Sequence, residues 1–207
     1  GVEADDLIAS YTTYATQKGV EVMVVSADKD LMQLIRDGVY LYDPIKEKII
    51  GEAEVKEKYS VYPNQMTDYL ALLGDASDNI PGVAGIGAKT ASKLLKEFDS
   101  IEKIYTNIDK ISPERSRKLL LEGRDRGILS KNLVTLKCDI DPAYSLEELK
   151  TPDIANQQFL DFLTSQGFSQ ILSRVSKKLN IQDKEEVHID EELSSLSELY
   201  KLNDQIV

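Results

Sequence analysis

The chain has 207 residues, of which 42% are hydrophobic and 29% charged, with a net charge of -11. This supports a sizeable folded core and excludes a membrane-spanning helix, since no apolar stretch approaches the roughly 20 residues such a helix needs. Cys138 is the only cysteine, which excludes an internal disulfide and a cysteine-based zinc cluster and leads to the expectation of a soluble protein in a reducing cytoplasm.

In chain order, Gly1 to Asp6 carry neither the basic stretch nor the apolar core of a targeting peptide, and no initiator methionine, so the sequence is expected to begin inside a larger protein. Leu7, Ile8, Tyr11 and Tyr14 follow helical spacing, and Gly19 closes the pattern. Val20 to Ser26 is rich in β-branched residues and predicts a buried strand, Leu31 to Ile35 a helix, and Val39 to Tyr42 a second strand. This alternation predicts a parallel α/β layer, whose ligands gather beyond the carboxyl ends of the strands, just where Asp28 and Asp30 fall. From Pro63 through Leu73 the pattern is helical and Gly74 ends it. No later strand is predicted. Residues 90–98, 113–122, 127–131 and 155–166 favour helix, 183–192 reads as an acidic linker, and 193–202 as a final amphipathic stretch.

Charge is unevenly spread. Residues 1–80 hold 7 basic and 15 acidic side chains, residues 81–137 hold 12 and 7, and residues 138–207 hold 6 and 14. The basic middle suggests a cationic platform beside an acidic site, although a solvated helical surface would look the same. The single histidine, His188, lies in the acidic linker and is given no role.

Seven carboxylates sit in three clusters: Glu3, Asp5 and Asp6; Asp28 and Asp30; Asp75 and Asp78. Each cluster can aim two oxygens at one point, and carboxylates from three segments can build a site for hard divalent cations such as Mg²⁺ or Mn²⁺. Singly, each also fits a helix start or a turn, where acidic residues are common. The second constellation runs Ile80-Pro81-Gly82-Val83-Ala84-Gly85-Ile86-Gly87-Ala88-Lys89-Thr90 and leads into a helix containing Lys93. Closely spaced glycines let backbone approach a phosphate, and a following helix N-terminus offers unpaired N–H groups. A nucleotide P-loop requires Gly-Lys-Ser/Thr after its spacer, whereas Ala88 separates Gly87 from Lys89 here. An ordinary turn between two helices is the other alternative.

Gly1 to Asp6, Ser26-Ala27-Asp28-Lys29-Asp30, Gly74-Asp75-Ala76-Ser77-Asp78-Asn79-Ile80-Pro81-Gly82-Val83 and Gly85 to Ala91 closely resemble the 5′-nuclease (flap endonuclease) family, in particular the 5′-nuclease domains of bacterial DNA polymerase I. The likeness is dense to about residue 105 and looser to about 180, where it includes Gly167-Phe168-Ser169-Gln170-Ile171-Leu172. It implies a PIN-like α/β core lacking its first strand over 1–62, an all-α helix-hairpin-helix domain over 63–182 with the hairpin element at 80–98, and a linker leading to a following domain at 183–207. It implies that Glu3, Asp5 and Asp6 serve a first metal site, some through water, and that Asp28, Asp30, Asp75 and Asp78 serve a second, so that the seven are both catalytic and metal-binding. The same resemblance implies that Gly82, Gly85, Gly87, Lys89, Thr90 and Lys93 contact the DNA backbone, with K⁺ held by hairpin carbonyls. The implied activity is two-metal 5′-to-3′ exonuclease and flap endonuclease cleavage of branched, nicked or flapped duplex DNA by a monomer, in replication and repair. Family members carry a further metal-binding strand and a basic arch before the segment matching Gly1, so this chain alone is expected to be nearly inactive. Alternatives left open are a stand-alone nuclease, a non-catalytic DNA-binding module and a nucleotide-binding α/β protein.

Overall fold

The computed structural model describes residues 1–151 and 156–178. The expected linker, His188 and the helix at 193–202 lie outside the described residues, as does Ala155 at the start of the helix expected there.

Helix α1 (Ala4–Gln17) buries Ala9, Ser10, Thr12 and Ala15 on one side. Strand β1 (Val22–Val25) pairs in parallel with β2 (Val39–Asp43), in the register Val22 with Val39 through Val25 with Tyr42, but it is not the buried strand expected: it lies at the sheet edge, and of its residues only Val24 is buried while Met23 and Val25 are exposed. Between them the predicted helix is a 3₁₀ turn, Asp30–Leu34, which buries Leu31, Met32 and Leu34. The parallel pair is as expected, but the sheet as a whole is mixed: a third strand, β3 (Lys48–Ile50), lies antiparallel to β2. Three residues with two exposed side chains leave too little alternation to predict it. Asp43 makes the tight β2–β3 connection, accepting the N–H groups of Ile45 and Lys46 at 3.0 Å on Oδ1 and the Lys46 ammonium at 2.9 Å on Oδ2. Along β2, Val39, Leu41 and Asp43 turn inward and Tyr40 and Tyr42 outward, the period of two expected of a half-buried strand.

Helix α2 (Glu52–Tyr59) buries only Val55 and was invisible to periodicity for that reason. Helix α3 (Met66–Leu73) is the opposite case, burying Met66, Asp68, Tyr69, Leu70, Ala71 and Leu72. Pro63 opens the short turn before it, and Gly74, at φ +77°, ends it. Then follow α4 (Ala88–Phe98), α5 (Ile101–Thr106), α6 (Glu114–Glu122) and α7 (Arg124–Val134). Helix α7 runs well beyond the predicted residues 127–131, and Gly127 is inside it because a methyl there would stand 3.0 Å from Val83 Cγ2 and 3.2 Å from the Tyr105 hydroxyl. An ion triad ties these helices, with half-buried Lys131 of α7 at 2.7 Å from buried Asp68 of α3 and 2.6 Å from exposed Glu102 of α5.

One continuous core of buried side chains runs from Ala9 and Val24 through Leu41, Leu70 and Leu72 to Val83, Ile86, Leu95 and Leu120. Residues 1–148 accordingly form one compact unit, and the chain from Leu149 a second. In the second unit α8 (Gln157–Ser165) is capped by Asn156, whose side chain accepts the Phe159 N–H at 2.8 Å. Helix α9 (Ser169–Lys178) follows Gly167, and Phe162 meets Phe168 edge to face at 6.4 Å. Among the described residues no helix is long and apolar enough to cross a membrane.

Candidate functional site

Two chain segments far apart in sequence deliver carboxylates to one place. The first is the turn after β1, where Asp28 N–H donates to Ser26 Oγ at 3.0 Å and Asp30 N–H to Asp28 Oδ1 at 2.9 Å, fixing both acidic residues at the mouth of the 3₁₀ turn. The second is the loop after α3, closed by reciprocal hydrogen bonds between Asp75 and Ile80, N to O at 3.0 and 2.7 Å. Ligand oxygens of Asp30, Asp75 and Asp78 lie within 4.8 Å of one another. The arrangement sits beyond the carboxyl end of β1, where the alternation of the sheet places ligands.

The three carboxylates differ electrostatically. Burial, then the neighbouring Asp28 charge, pushes Asp30 up to about 6, against the pull of Lys29. Burial and the adjoining Asp75 also raise Asp78. Asp75 goes the other way: the Lys29 ammonium pairs with its Oδ2, and Ser77 donates its hydroxyl and its N–H to Oδ1, so its carboxyl is held well below the usual range. Asp30 Oδ1 is buried without a hydrogen-bond donor. A buried carboxylate oxygen facing other carboxylates, with no donor of its own, fits a cation as partner.

The remaining acidic residues surround this cluster. Asp5, on the first turn of α1, is raised by burial and then by the charges of Asp28, Glu3, Asp6 and Asp78, which places it within electrostatic reach of both carboxylate segments. Glu3 is exposed just before α1. Asp6 turns elsewhere: its Oδ1 accepts the Lys137 N–H at 2.9 Å, and Ser10 one turn later donates to Lys137 O and accepts from Ile140 N–H, both at 3.1 Å. One Asp6 oxygen therefore holds the segment after α7 against α1.

Sequence reasoning missed three residues that build the site. Lys29 looked like any lysine between two aspartates. Gln33 holds the Asp30 turn in place: its amide donates to Asp30 O at 2.8 Å and to Val134 O at 3.0 Å, and its oxygen accepts from Thr67 Oγ1 at 3.1 Å and Leu136 N–H at 3.2 Å. Ser130, fully buried in α7, accepts the Gly82 N–H at 2.9 Å. A polar residue at an apolar position of a helix was the signal available for Ser130.

The glycine segment joins α3 to α4 directly, and its beginning is internal rather than ligand-facing. Gly82 is buried, its N–H is committed to Ser130, and an added Cβ would stand 2.5 Å from Gly74 N. Gly82 therefore has no free N–H to offer a phosphate, and its glycine is required because two backbones touch. Val83 and Ile86 anchor the hairpin in the core. Gly85, Gly87, Ala88 and Lys89 are exposed, and their N–H groups make no hydrogen bond among the described residues. Gly87 has open space where a Cβ would stand. Lys89 and Lys93 are exposed on α4 beside them, with Thr90 half-buried. Because the segment follows a helix and not a strand, it also departs from the architecture of a nucleotide P-loop.

Residues 1–60 match the family model described as 5′-3′ exonuclease, N-terminal resolvase-like domain, and residues 61–157 match that described as 5′-3′ exonuclease, C-terminal SAM fold. The chain is 37% identical to DNA polymerase I of Caldicellulosiruptor bescii, over 96% of this chain and 25% of that protein. It is 43% identical to a 5′-3′ exonuclease of Buchnera aphidicola, over 72% of this chain and 54% of that protein. The chain thus spans a quarter of the one relative and about half of the other. Among solved structures it is similar to the T5 5′-exonuclease with divalent zinc bound, with a TM-score of 0.60 and 26% identity, covering 80% of this chain and 59% of that one.

Proposed function

Because the chain belongs to the 5′-3′ exonuclease family, we propose that it contributes the metal-binding carboxylates and the duplex-gripping platform of a DNA polymerase I-type 5′-nuclease that cleaves flapped, nicked or branched DNA. One observation carries the reading: Asp30, Asp75 and Asp78 converge to within 4.8 Å while Asp30 Oδ1 is buried without a donor. All-oxygen ligation of this kind suits Mg²⁺ or Mn²⁺. When bound, such ions supply activation of water and neutralisation of the charge that builds on a phosphodiester in hydrolysis.

On this reading residues 1–62 are the α/β metal-binding core and 63–182 the helical platform, which also lends Asp75 and Asp78 to the metal site. Asp30, Asp75 and Asp78 would hold the cation. Asp28 orients Asp30 by accepting its N–H, while Asp5 with Glu3 and Asp6 extends the negative field towards a second ion. Gly85, Gly87, Ala88 and Lys89 offer their free N–H groups at the positive end of the α4 dipole, and Lys89 and Lys93 add charge. Such contacts read the phosphate backbone and not the bases, as a nuclease selecting DNA by shape requires. A K⁺ ion held by hairpin carbonyls belongs to the same reading.

The test uses the intact parent protein. Asp78→Ala abolishes flap cleavage in Mg²⁺ but leaves binding of the flap duplex in EDTA within about twofold, because backbone contacts through the hairpin N–H groups and the α4 lysines do not pass through Asp78. Unchanged cleavage removes the metal assignment, and a wild-type protein that binds the duplex without cutting it would be a non-catalytic module.

A further inference from the structure

Lys29 stands where no cation ligand would be placed, in the middle of four acidic side chains. It separates Asp28 from Asp30, and its ammonium pairs with Asp75 Oδ2, while Oδ1 of the same carboxylate is engaged by Ser77. The Lys29 side chain is 35% exposed and that of Asp75 only 8%. Among the described residues Asp75 is therefore the only one of the three converging carboxylates with an ion pair, and both its oxygens are already engaged. Asp78 has no ion pair and Asp30 Oδ1 no donor among the described residues. Asp30, Asp78 and Asp75 Oδ2 would hold a divalent ion together only where Lys29 released Asp75 Oδ2.

We propose that Lys29 is a built-in competitor for the divalent cation: a positioning residue that holds Asp75 in place and weakens cation binding at the Asp30–Asp75–Asp78 cluster. This rests on the metal reading given under the proposed function. The physical basis is that one oxygen cannot serve an ammonium and a divalent ion at once, and that a fixed positive charge beside a cation site repels the cation. The lysine serves the acidic cluster by keeping carboxylates of like charge from driving each other apart, and its cost is affinity. Its flexible four-carbon stem allows the ammonium to swing out without disturbing the 3₁₀ turn that carries Asp30.

Mn²⁺ binding to this chain, measured by the electron paramagnetic resonance of free Mn²⁺ and paired with melting in EDTA and in Mn²⁺, tests the proposal. For Lys29→Met the tightest Mn²⁺ site is expected to strengthen about tenfold, with a lower Tm in EDTA and a larger gain in Tm on adding Mn²⁺. Lys29→Arg, which keeps the charge, stays within about twofold of wild type. Lys29→Gln is the second neutral variant, with far-ultraviolet circular dichroism showing that each is folded. Neutral variants that melt lower in EDTA yet bind Mn²⁺ no tighter than wild type overturn the proposal and leave Lys29 as structural support only. A wild-type chain that takes up no Mn²⁺ overturns the metal reading itself, and this inference with it.

Discussion

Gly74 and Gly82 meet backbone to backbone across the base of the loop that carries Asp75 and Asp78: a Cβ built on Gly82 would stand 2.5 Å from Gly74 N and 2.7 Å from its Cα. Both residues have positive φ, +77° and +59°. The carboxylate loop and the start of the glycine hairpin are thus one closed structure, pinned to α7 by Ser130. Gly82→Ala combines left-handed backbone cost with overlap against backbone that cannot yield, and is expected to destabilise the protein by about 3 kcal/mol. Ser130→Ala leaves the Gly82 N–H buried without an acceptor and is expected to cost about 1–3 kcal/mol. Urea denaturation measures both; values within a few tenths of wild type would show that this closure is not structural.

Gly87 provides the contrasting case. Nothing lies within 4 Å of its missing Cβ, and its φ is -94°, so Gly87→Ala is expected to leave Tm unchanged. The added methyl occupies the space through which a phosphate would reach the free N–H groups, and duplex affinity is expected to fall about tenfold or more by fluorescence anisotropy. Unchanged affinity would move the duplex contact away from the hairpin.

The charge on α4 should appear in the salt dependence. If Lys89 and Lys93 each neutralise one phosphate, replacing either with Ala lowers the slope of log affinity against log salt by about 1, equally for unrelated duplex sequences. A slope unaltered by both substitutions would assign them to the solvated face of the helix.

Asp30 gives the site its pH dependence. Its carboxyl is raised to about 6, first by burial and then by Asp28, so uptake of a cation must displace a proton at lower pH. Mn²⁺ affinity is expected to rise with pH through about 6 and to level off above it. In EDTA the sign is reversed. A raised acid binds its proton more tightly in the folded state, so ionised Asp30 costs stability above pH 6, and the cost fades as pH falls towards about 4. Asp30→Asn without metal is therefore expected to be more stable than wild type at pH 8, by about 1 kcal/mol once solvent screening of this half-buried group is allowed for, with the difference closing by about pH 4. The opposite trend would show Asp30 to be stabilised by its charge.

The strongly patterned elements were legible in the sequence. Helix α1, strand β2, α3 and α4 each show a buried stripe, and end signals such as Gly19, Pro63 or Gly74 mark their bounds, whereas β1 was legible from its β-branched residues although only Val24 of it is buried. Where burial was slight, as in α2 with Val55 alone or β3 with its exposed lysine and isoleucine, periodicity had nothing to register. The carboxylates were legible as clusters, but not which of them converge, because that depends on how the turn after β1 meets the loop after α3. The glycines were legible as a hairpin, but a glycine needed for close packing and one needed for ligand approach look alike in sequence: Gly82 proved to be the first kind, and Gly87 has the open space of the second. Lys29 acts through Asp75, Ser130 through Gly82, and Gln33 through Thr67, Val134 and Leu136 as well as its neighbour Asp30, and at all but the last of these separations local pattern carries no information.

The most direct test of the account is the position of bound Mn²⁺ by anomalous diffraction from crystals of this chain. The account predicts a peak at inner-sphere distance, about 2.0–2.6 Å, from oxygens of Asp30, Asp75 and Asp78, with Lys29 turned away from Asp75. No peak at that cluster, at a Mn²⁺ concentration that saturates binding in solution, would contradict it.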